Sequence, residues 1–406
     1  MTIDSKIWVR VALVNLSIVA TLGTIMRYKI GFAFPYLDQK YLQEAHSHFA
    51  FTGWITHSLY FLIVILFRNN LPGIRVKIYQ RLILINLLCA YGMLISFLCQ
   101  GYGPVSIFIS LLSILTGYVF AFFGIKDAAR LSPDHPAKNW IKAALFFSIL
   151  STFGTFALAY MATSTSFNET AYLGSVYFFL HFQYNGWFLF GCMALFMDRI
   201  KNIISAPAQV RYSFWLFFLA GIPAYFLSTL WANLPLWLYV FVVLAAFLQV
   251  IGWGMIIRML KPVFDQLKLL FQKPALILIL IIALAFTFKL FLQLGSTVPA
   301  ISNLAFGFRP IVIAYLHLVL LLIVSMFLLT FMYSSAVLHQ TKKTRVPLLA
   351  FASGVILNEI VLATQGIGAF SYTVIPFANE ILFVIALILL ISSLFLTAAQ
   401  FKAGQD

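Results

Sequence analysis

Charge is what this sequence has least of. Asp, Glu, Lys and Arg make up 9% of its 406 residues, where a soluble domain carries about 25%. With 63% hydrophobic residues and a mean hydropathy of +0.99, most of the surface must face lipid. Cysteine is nearly absent. Cys89, Cys99 and Cys192 all fall in apolar runs and no C-x-x-C-H phrase occurs. That excludes covalent c-type haem attachment and leaves no disulfide framework to build, so the three read as apolar packing. Of the 14 prolines, only Pro223 lies well inside an apolar run. No basic stripe with interleaved aromatics is present, so nucleic acid is not an expected partner. No small-residue cleavage site follows the first apolar run, which reads as a first helix rather than a signal peptide.

What the chain has in place of charge is length of apolar sequence. About 20 apolar residues cross a bilayer as a helix, and twelve such runs lie near 7–27, 46–67, 79–99, 104–124, 141–161, 174–197, 211–230, 234–257, 274–294, 310–332, 347–364 and 378–399. They are too long for barrel strands, and no gap between them can hold a soluble domain. The expected fold class is an all-α polytopic membrane protein with twelve transmembrane helices, a single transmembrane domain over 1–406. Basic residues orient it. Of 26 Lys and Arg, twenty-one fall at the ends and in alternate loops of one side. Arg27, Lys29, Lys40 and Arg309 fall on the other, and Lys289 sits inside the ninth run. Cationic loops stay cytoplasmic, so both termini are expected inside, most simply of a bacterial inner membrane. The net charge of +15 is then a topology signal.

Three histidines recur along this layout. His48 opens HFAFTGW and His181 opens HFQYNGW, sharing H-F-x-(F/Y)-x-G-W, while His317 opens the plainer HLVLLLI. A period of 133–136 residues signals a duplicated multi-helix unit. Pseudo-repeats near 1–140, 141–273 and 274–406 of four helices each place one histidine on helices 2, 6 and 10. Each would lie a few residues past the outer helix end, roughly 3–10 Å deep, in one shared layer. Imidazole is costly inside a membrane. Three copies at equivalent places can ligate haem iron or copper through a neutral ring nitrogen, with aromatics on a porphyrin and glycine admitting its plane. Hydrogen-bonded core histidines in a duplicated transporter are the other reading.

With its twelve runs and histidines on helices 2, 6 and 10, the chain resembles the catalytic subunit of the haem–copper oxidase superfamily. NnrS-type haem-and-copper membrane proteins are a looser likeness. The resemblance implies three four-helix arcs around a pseudo-threefold axis. It implies non-covalent, b-type or related haem held by His48 and His317, copper at His181, and a role in electron transport with an electron donor or partner subunits. Tyr184, one turn from His181, would stand near the place of the family's cross-linked tyrosine. The chain departs from the pattern where the family carries a histidine pair on helix 7 and a second histidine on helix 10. A complete oxygen-reducing centre is therefore not expected.

Other polar residues can serve the same site. His46 is two residues from His48 and points to roughly the opposite face. His57 shares the His46 face and lies deeper; a hydrogen bond between helices or a second metal site are its alternatives. His135 and His339 fall toward the cytoplasmic side and read as surface residues. Arg309 and Lys289 oppose the charge trend. Haem propionates would compensate them, as would lipid headgroups for Arg309 and snorkelling for Lys289. Glu359, beside Asn358, could pair with Lys289 or handle protons. Two function classes remain: a haem protein of redox or O2/NO chemistry, and a twelve-helix secondary transporter with a histidine-lined polar site.

Overall fold

A computed structural model describes residues 5–163, 168–204, 206–302 and 308–402, and every regular element among them is helical. The long helices are α1 (Ser5–Gly31), α2 (Gln39–Asn70), α3 (Val76–Gln100), α4 (Pro104–Arg130) and α5 (Lys138–Thr163). They continue with α6 (169–200), α7 (Pro207–Ala232), α8 (Leu236–Leu270) and α9 (Lys273–Gly295). The series ends with α10 (Arg309–Ser334), α11 (Lys342–Phe370) and α12 (Ala378–Lys402). Among the described residues, eleven helices are long and apolar enough to cross a membrane. The exception is α6, which carries His181, Gln183 and Asn185 in its middle.

Several helices begin earlier than their apolar runs. At α2, the Asp38 side chain accepts from the backbone N–H groups of Lys40 (2.8 Å) and Tyr41 (2.9 Å). Asn168 does the same for Ala171 N (2.9 Å) before α6. Such caps satisfy donors that the helix itself leaves open, so polar first turns can extend each helix beyond its apolar span. As a result His48, His181 and His317 stand 9, 12 and 8 residues past their helix starts. That is roughly 12–18 Å along the axis, further than the apolar runs alone imply. Pro223 is also not the one internal proline, since Pro347 lies inside α11.

The chain forms two compact units. One comprises 1–120, 277–279 and 324–406; the other comprises 121–276 and 280–323. In the first, α1 packs on α2 and α12, α2 on α3, and α11 on α12. Leu22, Leu42, Ala45, Phe49, Met93 and Phe97 form a core among α1, α2 and α3. In the second, α5 packs on α6 and α7 on α8. Ala220, Ala224, Ala245 and Ala246 line the α7–α8 contact. In lipid, small side chains of this kind let backbones approach and dispersion act.

Candidate functional site

Each of the three histidines stands at the start of a π-helical stretch. Ala50–Thr56 follows His48, Phe182–Phe188 follows His181, and Leu318–Ser325 follows His317. π-helix is rare and concentrates at functional sites. The wide turn loosens the i→i−4 ladder, and side chains meet carbonyls around it. Thr52 Oγ1 donates to His48 O (2.6 Å), Asn86 Nδ2 to Thr52 O (3.2 Å) and Asn15 Nδ2 to Gly53 O. Tyr91 in turn donates to Asn15 Oδ1 (2.8 Å). The two shared phrases also match in burial. Phe49 and Phe182, Phe51 and Tyr184, and Trp54 and Trp187 are all buried. Their glycines serve packing rather than porphyrin approach. A Cβ on Gly53 would meet the Phe49 ring at 2.8 Å, and one on Gly186 would meet Phe147 Cβ at 2.5 Å.

In the first unit, His48 and His46 part company as their spacing requires. His48 stacks on Phe97 of α3 (4.2 Å between centroids, 12° between planes), and its Nε2 meets the Tyr102 hydroxyl at 2.9 Å. Tyr102 is delivered by Gly101, whose φ of +58° follows the end of α3. His46 packs on Gly23 of α1. His57, fully buried, lies against Trp8 of the same helix (5.7 Å) and Phe61 (5.9 Å). So His46 and His57 do share the α1 side of α2. Among the described residues, neither ring nitrogen of His57 makes a well-formed hydrogen bond. Glu359 on α11 accepts from the adjacent Asn358 amide (3.1 Å).

In the second unit, α7 breaks ahead of Pro223. Tyr225 N bonds Ile222 O in a 3-10 turn, so the α-helical bond from Tyr225 N to Gly221 O is not made. His181 Nε2 meets that Gly221 carbonyl at 2.9 Å, and Asn185 Nδ2 lies 3.2 Å from its Nδ1. A carbonyl only accepts, so Nε2 carries the proton and Nδ1 accepts from the amide. Both ring nitrogens of His181 are thereby engaged. The Tyr315 hydroxyl reaches Asn185 and Tyr184 reaches Ser228, with the two tyrosine rings 6.3 Å apart. On α10, His317 Nδ1 donates to Ile313 O at 2.9 Å. In the neutral ring the lone pair is then on Nε2, the tautomer that a backbone-held ligand histidine uses. Arg309 is exposed at the start of the same helix. Lys289 on α9 is 1% exposed, within electrostatic range of His181, and its Nζ meets no hydrogen-bond acceptor among the described residues.

The donors fit the two expected metals unequally. His317 has the tautomer that haem ligation through Nε2 calls for. His181 does not fit copper, because both nitrogens are used and an ammonium lies nearby. No group of three His, Cys, Asp or Glu among the described residues could hold a metal ion. His135 is not a plain surface residue either: its Nε2 lies 3.3 Å from Asp198 at the end of α6. His339 is half-buried in the first unit, its backbone N–H donating to Gln400 Oε1 (2.9 Å). The supporting groups Asn15, Asn86, Tyr102, Asn185 and the Gly221 carbonyl were not singled out from sequence. The intramembrane asparagines carried a signal, being polar residues inside apolar runs. Comparison with known protein families finds no matching family model, and comparison with curated proteins finds no match.

Proposed function

We propose that this chain is a haem-binding integral membrane protein of the haem–copper oxidase type, acting in electron transfer or in O2 or NO chemistry without a complete copper centre. The observation that carries it is the coincidence of three π-helical stretches with three histidines at repeat-equivalent places. A duplicated transmembrane unit retaining one histidine position accounts for both. His317 supplies an axial nitrogen, its ring oriented by Ile313 O, and Arg309 offers a bidentate partner for a propionate. His48 is the sequence's candidate for the second axial nitrogen. Bound haem would supply one-electron chemistry at an iron whose potential its axial ligands tune.

The same proposal takes α6 as a twelfth crossing. Both termini then lie in the cytoplasm, as the distribution of Lys and Arg favours, and the electron donor or partner subunits approach from either face. The resemblance to the haem–copper oxidase family would arrange the helices as three four-helix arcs. The membrane is the bacterial inner membrane.

The test is a visible spectrum of protein purified from haem-replete cells, with iron and copper analysis. A non-covalent haem spectrum with low-spin character is expected. His317→Ala and His48→Ala should each lose or convert it. A colourless, iron-free protein overturns haem binding. It would favour the transporter alternative, for which the break in α7 at Pro223 is the supporting observation. Transporters line their sites with broken helices whose freed carbonyls face polar groups, as Gly221 faces His181.

A further inference from the structure

His48 is the proposed second axial ligand, and one of its nitrogens already has a partner. The imidazole is half-buried. One face of its ring stacks on the fully buried Phe97 (4.2 Å between centroids, 12° between planes). In an imidazole, Nδ1 adjoins the ring atom that leads to the main chain, so Nε2 is the nitrogen that projects furthest from the helix. That atom meets the Tyr102 hydroxyl at 2.9 Å. A phenol can donate or accept, so the contact takes up Nε2 in either tautomer. An axial bond at the same atom requires the hydroxyl to leave.

The two partners of His48 are held with different firmness. Phe97 belongs to the core that Leu42, Phe49 and Met93 form between α2 and α3. Tyr102 stands in the turn between α3 and α4 and is 61% exposed. The backbone of that turn is fixed. Gly103 N donates to Gly101 O (2.8 Å), and Ser106 Oγ donates to the Gly101 and Gly103 carbonyls. Gly101 holds φ at +58°, and a Cβ there would run into the Tyr41 ring, so the turn takes glycine. What stays movable is the phenol, which swings about two side-chain torsions. It packs edge-on against Phe97 (5.0 Å, 79°) and His48 (5.7 Å, 75°). Water can replace the imidazole as its hydrogen-bond partner, so the closed arrangement is favoured only about two- to tenfold. We infer that Tyr102 is a releasable cap on His48. It covers Nε2 from the turn between α3 and α4, while the Phe97 stack keeps the ring in place for the ligand that follows. The role of the cap rests on the haem reading of His48, since Tyr102 would yield Nε2 to iron. Its existence does not, being a property of the tyrosine–histidine pair.

Full-length protein in detergent, purified from haem-depleted and from haem-replete cells, is treated with diethyl pyrocarbonate at neutral pH. The reagent acylates an open imidazole nitrogen, and peptide fragmentation resolves His48 from His46. Tyr102→Phe keeps the edge packing and removes the hydroxyl. In haem-depleted protein it should raise the acylation rate at His48 about two- to tenfold, with the rate at His339 and the thermal unfolding midpoint unchanged. Tyr102→Ala, the second variant, should raise the His48 rate at least as far. Equal rates at His48 in the parent and both variants overturn the cap, whatever the haem spectrum shows. A rise at every histidine also overturns it, because the fold has then loosened. In haem-replete protein, His48 should be protected in the parent and in Tyr102→Phe alike, with the low-spin spectrum kept. A raised rate in depleted protein, together with no protection by haem, leaves the cap standing and removes the haem reading of His48.

Discussion

Histidine 181 engages both of its ring nitrogens inside the protein, and that sets what its removal does. His181→Ala would leave Gly221 O without its side-chain partner, at about 1–3 kcal/mol. A lower unfolding midpoint in detergent is expected, with any low-spin haem spectrum unchanged. A loss of haem with unchanged stability would instead make His181 a ligand. The contrast with His317 is one of tautomer, since its Nδ1–H is held by Ile313 O. Much at this scale was legible from spacing. Residues two apart diverge on a helix, which is why His46 faces α1 while His48 faces α3. What was not legible are the partners themselves. The Gly221 carbonyl is open only because α7 breaks at Pro223, and Tyr102 reaches His48 only through the left-handed turn at Gly101. Both arise from backbone events on other helices, which a histidine's own neighbours in sequence do not encode.

At the element scale a π-helical stretch follows each of the three histidines, and periodicity counted at 3.6 residues per turn was blind to it. A π stretch admits an extra residue without interrupting the apolar run, so hydropathy passes over it. Its cost is shared by Asn15 and Asn86, which donate to carbonyls of Ala50–Thr56. Asn15→Leu removes the donor to Gly53 O and the acceptor of Tyr91. About 1–3 kcal/mol of lost stability is expected, read as an earlier thermal midpoint; an unchanged midpoint would mean the stretch needs no such support. The glycine of the shared phrase gives a second test. In Gly186→Ala the new methyl meets Phe147 close to its backbone, where little can yield. Overpacking of about 1–3 kcal/mol is expected. Gly254, with open space around it, should accept alanine with neutral or slightly favourable effect. Equal midpoints for the two variants would show that α5 and α6 are less tightly packed than these distances require.

At the scale of the whole molecule the open point is α6. Its helical length suffices to span, yet it carries His181, Gln183 and Asn185 where the other helices are apolar. Gln183 Nε2 donates to Ser151 Oγ of α5 (2.8 Å) and Asn185 Nδ2 to His181, so these two amide donors are met inside the protein rather than presented to lipid. A helix of that kind can cross a membrane while failing a criterion based on mean hydropathy, because what matters in lipid is unsatisfied polarity. Eleven crossings would put the two termini on opposite sides; twelve put them on the same side, as the basic residues favour. Single cysteines decide it in a background with Cys89, Cys99 and Cys192 replaced. Ser132→Cys lies between α4 and α5, Asn202→Cys follows α6, and Tyr36→Cys lies between α1 and α2. A membrane-impermeant maleimide applied to intact cells should label the Tyr36 position and spare Ser132 and Asn202, with all three labelled after lysis. Labelling of Asn202 but not Ser132 in intact cells would mean that α5 crosses and α6 does not. The positive-inside assignment of every later helix would then be reversed.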